Sequence, residues 1–133
     1  MVRINRPESG LFSVGCGRYS IRERGNHRFS GYIELAFNSV EMVQDAAGYF
    51  PLFYHFDAFL IDQQFNVPVQ IDWELAGVHF SDPGVDGFSL VITINTYFVG
   101  SGDQALIDWE RTIEPMIIYL GAIFEAPGHK IYP

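Results

Sequence analysis

Phe88–Leu120, FSLVITINTYFVGSGDQALIDWERTIEPMIIYL, sets the architecture of this chain. Phe88, Leu90, Ile92, Ile94 and Phe98 fall on one face of an alternating run, with Ser89, Thr93, Asn95 and Tyr97 on the other. Period-2 alternation marks a strand with one buried face, and β-branched and aromatic residues suit its pleated surface. Gly100 and Gly102 interrupt the run, and Ser101 with Gln104 three residues on reads as a capping box that opens a helix. Leu106, Trp109, Ile113 and Leu120 then recur near helical spacing, which predicts a main helix over about 103–114. Pro115 is expected to end or kink it, because proline lacks an N–H and disfavours the α conformation at Glu114. A strand followed by a helix on its apolar face is an α+β unit, so Phe88, Leu90, Ile92 and Ile94 should pack beneath Leu106, Trp109 and Ile113.

The segments before it are shorter or less regular. Residues 1–10 are polar and read as an extended arm, and Gly121–Pro133 as an extended tail. Leu11–Ile21 reads as a strand weakened by Gly15 and Gly17, and Phe29–Phe37 alternates cleanly. A charged turn around Gly25–Asn26 joins them as a hairpin with a rather long loop. Asn38 with Glu41 reads as the cap of a short helix over about 40–47, ended by Gly48. Tyr49–Asp62 (YFPLFYHFDAFLID) is apolar on both faces, so periodicity does not separate strand from helix; the aromatics and the following turn favour a strand. Val67–Phe80 alternates until its phase slips, as a bulge at Ala76–Gly77 would cause. The whole is one α+β domain over 1–133. It is expected to be a mostly antiparallel sheet, or a small barrel or sandwich, under one main helix and one short one.

Composition narrows the function classes. Hydrophobic residues make up 48% of 133 and charged residues 18%, which places the chain among globular domains with a real core. No run approaches the roughly 18 apolar residues of a membrane helix, and the first residues carry no apolar signal region. The expectation is a protein with no membrane partner, not exported by a signal peptide. One cysteine, Cys16, fits a reducing compartment. A net charge of −8 argues against sequence-specific nucleic-acid binding. The charge is unevenly placed: residues 1–28 hold six arginines against Glu8 and Glu23, and residues 29–133 hold Arg111 and Lys130 against fourteen acids. A basic arm on an acidic body pairs either within one molecule or head to tail between copies.

Few residues point to chemistry. His55 and Asp57 form an H-x-D pair that a strand would put on one face, with His79 or His129 as third ligand of an iron site; the commoner role is a histidine packed among aromatics. Cys16 with His27 lacks the surroundings of a cysteine nucleophile, and Cys16 between glycines is expected to be buried. Asp72 and Glu74 belong on a solvated strand face, and Asp82, Asp86 and Asp103 lack calcium-loop spacing. No phosphate-binding glycine loop, paired-cysteine motif or nucleophile elbow occurs. A non-enzymatic protein without a cofactor is therefore expected. The interface candidates are Arg3, Arg6, Arg18, Arg22 and Arg24 of the basic segment, and Tyr49, Phe50, Phe53, Tyr54 and Phe56 of the aromatic one.

Arm, antiparallel strands, covering helix and tail, with an acidic body, resemble the small ring-forming structural proteins of tailed phages, of tail-terminator, neck or tube type. That resemblance implies a homo-oligomer within a virion, or in host cytoplasm during assembly, with neighbouring structural proteins of the particle as partners. It implies rings built by extending a sheet between subunits and exchanging arms, around an acidic lumen to which DNA does not stick. The alternative expectation is a small-ligand-binding or enzymatic α+β domain with an aromatic pocket around His55 and Asp57.

Overall fold

The computed structural model describes residues 4–5, 9–63, 65, 68–123 and 126–132. The elements run β1 (Leu11–Glu23), β2 (Asn26–Phe37), α1 (Val40–Val43), a 3-10 turn (Ala46–Gly48), α2 (Tyr49–Asp62), β3 (Val69–Phe80), β4 (Val85–Thr96) and α3 (Gly102–Gly121). Two hairpins each lead into a long helix, giving two ββα units in succession. Their inner strands β2 and β4 pair antiparallel from Ser30↔Asn95 to Leu35↔Leu90, which makes one four-stranded open sheet in the order β1-β2-β4-β3. The expected α+β architecture is thus present as an open sheet, with both long helices on one face.

Local chemistry sets the hairpins. The β1–β2 connection is tighter than expected: Arg24 (φ 51°) and Gly25 (φ 78°) alone form it. Two consecutive left-handed residues match the twist of the flanking strands, and glycine takes the second position without a steric penalty. The register shift lies between Ser13 and Gly15 of β1, with Val14 left over; β3 pairs without interruption from Val69↔Thr96 to Phe80↔Val85, so no bulge occurs at Ala76–Gly77.

The register fixes the faces. Gly31, Ile33 and Leu35 of β2 lie opposite Ile94, Ile92 and Leu90 of β4, which lie opposite Ile71, Trp73 and Leu75 of β3. This is the covered face. Residues Ile33, Leu35, Leu90, Ile92 and Ile94 are all within 2% of full burial. The Trp109 ring of α3 rests on Gly31, where an added Cβ would come 2.8 Å from Cη2. Phe53 and Phe56 of α2 meet the Trp73 ring edge-on at 5.0 and 4.5 Å. Trp109 alone, fully buried, represents about 2–3 kcal/mol of apolar transfer.

Three helix expectations are corrected. The short helix expected over 40–47 stops at Val43, and Ala46–Gly48 forms a separate 3-10 turn capped by Asp45. Tyr49–Asp62 is a helix, not a strand. Pro51 in the first turn needs no N–H partner there, whereas within a strand it would remove a ladder hydrogen bond. α3 continues through Pro115 to Gly121. The carbonyl that proline leaves unbonded belongs to Arg111, which is exposed, so water can replace the lost hydrogen bond. Its buried stripe is Ala105, Trp109, Thr112, Met116 and Leu120, with Leu106 and Ile113 only half-buried beside it. Ser101 accepts from the Gln104 amide at 3.4 Å, but the Gln104 side chain turns away to Asp108 at 2.7 Å, leaving half a capping box. Phe98 lies beyond β4 and half-exposed, under the Arg28 guanidinium at 5.2 Å, rather than on the covered face.

Candidate functional site

Tyr49 joins the two ββα units where their direct pairing stops. Its hydroxyl donates to the Phe88 carbonyl at 2.5 Å and accepts from the Phe37 amide at 3.3 Å. Phe37 and Phe88 are the next residues on the covered face after Leu35↔Leu90, so the phenol replaces a ladder hydrogen bond. Burial pushes its pKa up to about 12. With Phe56, also fully buried, Tyr49 belongs to the chain's own core, which corrects the expectation that both face a partner.

The rest of the aromatic segment lies at the surface. Phe50 (59%), Phe53 (38%) and Tyr54 (78%) remain exposed on α2, beside the half-exposed Trp73 and Leu75 of β3. Between helix and strand runs a cleft of about 240 Å³ lined by Phe50, Phe53, Trp73 and Leu75. It borders β3, an edge strand of the sheet, which has a partner on its β4 side only among the described residues.

The opposite edge, β1, is basic. Arg18 and Arg22 lie opposite Gly31 and His27, on the covered side, and Arg24 occupies the hairpin turn. Arg18 reaches Glu110 of α3 at 3.4 Å and stands over the Phe29 ring at 5.9 Å, both at the surface. Exposed contacts of this kind contribute little to stability. Arg3 and Arg6 lie outside the described residues.

The other face is covered at one end, where Val43 of α1 meets Gly87, Tyr132 stacks on Phe12, and Ala36 and Ser89 are buried; it is uncovered over the rows Gly15–Glu34–Val91–Glu74 and Gly17–Tyr32–Thr93–Asp72. Asp72 and Glu74 are exposed there, as expected. Tyr32 lays its ring across the glycines, 3.2 Å from where a Gly17 Cβ would stand. With Glu34 this makes an acidic, aromatic sheet face.

The chemical constellations do not assemble. On a helix, His55 and Asp57 point about 200° apart, so the H-x-D pair does not share a face. His79 pairs with Asp86 at 2.7 Å and His129 with Glu41 at 2.6 Å, away from α2. Cys16 is exposed rather than buried and lies opposite Ile33, six β1 residues from Arg22, the partner of His27; that is about 20 Å. No group of three or more His, Cys, Asp or Glu suited to a metal occurs among the described residues. None of the described helices is long and apolar enough to cross a membrane. His55 does border a second hollow of about 550 Å³, with Phe37, Met42, Pro51, Leu52 and Tyr119.

Sequence reasoning missed the contacts of the tail. Ser39, not Asn38, caps α1 by accepting from the Met42 amide at 3.1 Å. Asn38 instead accepts from the amides of Ile131 (2.9 Å) and Tyr132 (2.8 Å) and donates to the Tyr132 carbonyl at 2.9 Å. Glu41 accepts from the His129 amide at 2.9 Å and from its ring. The His129 side-chain hydrogen bond, with its amide, holds Glu41 down to about 2, and Glu41 raises His129 in turn. No protein-family model matches this chain, and no curated protein or solved structure matches it.

Proposed function

We propose that this chain is a non-enzymatic structural subunit that joins head to tail with copies of itself into a ring, as a component of a phage tail or virion. The single observation that carries this reading is the pair of sheet edges. Strand directions alternate across β1-β2-β4-β3, so β1 of a neighbouring copy, set beside β3 in the same orientation, is antiparallel to it and continues the sheet. In that arrangement Arg18 and Arg22 of the neighbour lie on the same side of the sheet as Phe50, Phe53 and Tyr54 of α2. Guanidinium groups stack well on aromatic faces, and the edge pairing supplies main-chain hydrogen bonds. A contact between two different surfaces repeats, and it closes into a ring when the rotation permits. The uncovered face with Glu34, Asp72 and Glu74 then lines a lumen that repels DNA phosphates.

The test is molar mass by light scattering across micromolar concentrations, with electron microscopy of the heavy species. A closed oligomer is expected, reduced to smaller species by R18E/R22E and equally by F50S/Y54S. A folded chain that stays at monomer mass throughout overturns the reading. The hollow beside His55 supports a second reading, a site for a small apolar ligand. It predicts a melting shift with an apolar probe that His55→Ala abolishes; Asp57, turned away, should have no effect.

A further inference from the structure

We propose that residues 126–132 are a releasable strap, an internal peptide ligand whose receptor is the junction of β2 and α1, and that its release uncovers a surface for a second copy of this chain. The inference rests on the assembly reading above. The receptor reads main chain: Asn38 makes three hydrogen bonds to the backbone of Ile131 and Tyr132, and the Val40 amide donates to the His129 carbonyl at 2.8 Å. Asn38 is 2% exposed, so its amide is dedicated to the strap rather than to water. A side-chain amide that both donates to and accepts from an extended segment acts as a short strand would.

Side chains add selectivity. Glu41 takes the His129 amide and ring together, and Tyr132 stacks on Phe12 at 6.1 Å. Gly128 has φ +91°, a conformation that side chains rarely adopt, and a Cβ there would crowd the Glu41 carboxylate. Only glycine allows the strap to approach the carboxylate so closely. The approach is specific, yet most of it lies at the surface: the His129 and Glu41 side chains are 88% and 53% exposed. Well-formed contacts at an exposed chain segment are what a reversible ligand requires.

Beneath the strap lies apolar surface. Phe12 meets Phe80 edge-on at 6.2 Å, and both are covered while Ile131 and Tyr132 are in place. A hollow of about 310 Å³ borders them, lined also by Val14, Val78 and Pro83. Lifting the strap exposes Phe12 at the start of β1 and Phe80 at the end of β3, the two edge strands assigned above to the contact between copies.

The experiment compares the full chain with one ending at Ile123, and adds a synthetic peptide of residues 126–133. The peptide should bind the shortened chain and not the full chain, whose receptor is filled. A Gly128→Ala peptide should bind about tenfold more weakly, and Glu41→Gln in the shortened chain should weaken binding about twofold to fivefold. The shortened chain should assemble at lower concentration, and added peptide should reverse that. Absence of peptide binding to a folded shortened chain overturns the proposal, as does equal binding to both chains or assembly indifferent to the strap. Should the shortened chain not fold, Gly128→Ala in the full chain replaces it. Loss of the Phe12–Tyr132 contact by NMR, with the sheet intact, supports the strap, and its persistence refutes it. Selective peptide binding without assembly in either form refutes the assembly reading and the partner named here, while the receptor stands.

Discussion

α3 and α2 follow the inner strands of successive ββα units and lie on the same sheet face, yet they differ in what they leave to solvent. α3 buries a continuous stripe from Ala105 to Leu120 and shows water mostly polar residues, among them Glu110, Arg111 and Glu114. α2 buries Tyr49, Leu52 and Phe56 and leaves Phe50, Tyr54 and Ile61 largely exposed. One helix is amphipathic in the ordinary sense, and the other is apolar nearly all round. Where a helix of the second kind is half-covered in a monomer, the uncovered half is the surface on which a partner would act.

Substitutions can break this contrast, beginning with the largest effect. Trp109→Ala should cost about 3–5 kcal/mol in urea unfolding, because it opens a cavity above Gly31 that the backbone cannot fill. If Phe50→Ala costs as much, α2 is as fully packed as α3 and the contrast fails. Tyr49→Phe should cost about 1–3 kcal/mol by orphaning the Phe37 amide and Phe88 carbonyl together. Ser101→Ala should cost about 1 kcal/mol through the lost N-cap of α3, with no change in assembly. F50S/Y54S should change monomer stability by less than about 0.5 kcal/mol while shifting the concentration at which heavy species appear.

The smallest effect concerns pH and lies outside both helices. His129 is raised above its free value of 6.5, so its contribution is complete below that value and is lost as pH climbs through the raised one. Glu41, at about 2, contributes fully above its free value of 4.5 and loses that only as pH falls towards 2. The strap should therefore hold best between about 4.5 and 6.5 and loosen on the alkaline side, as amide exchange at Ile131 and Tyr132 would register. A strap that loosens between 6.5 and 5 contradicts the pairing.

Legibility in the sequence follows the same division. β4 and α3 were readable because each has one wet face and one dry face, so their periods survive in the residues. α2 was not, because burial on one side and aromatic surplus on the other erase the period; Pro51, tolerated in a first helical turn, was the signal that could have identified it. The strap was invisible for a different reason. Asn38 and Glu41 stand three apart before an apolar run, as a cap should, but Ser39 takes that role and their partners lie 88 to 94 residues away. Local pattern cannot distinguish a polar side chain that closes a helix from one that holds a distant segment. The edge arginines were visible as charge, but that they flank an open sheet edge needed the strand order.

Tyr49 has a consequence for measurement. The Phe37 amide is held by a phenol on α2, not by a carbonyl of β4. Its exchange with solvent deuterium therefore reports on the seating of α2, whereas the amides of Gly31, Ile33 and Leu35, which face β4 as the Phe37 amide does, report on separation of the two hairpins. If the helix lifts while the sheet stays whole, Phe37 exchanges early and alone. A single backbone position thus serves as a gauge of whether α2, the less completely buried helix, would move in the proposed assembly.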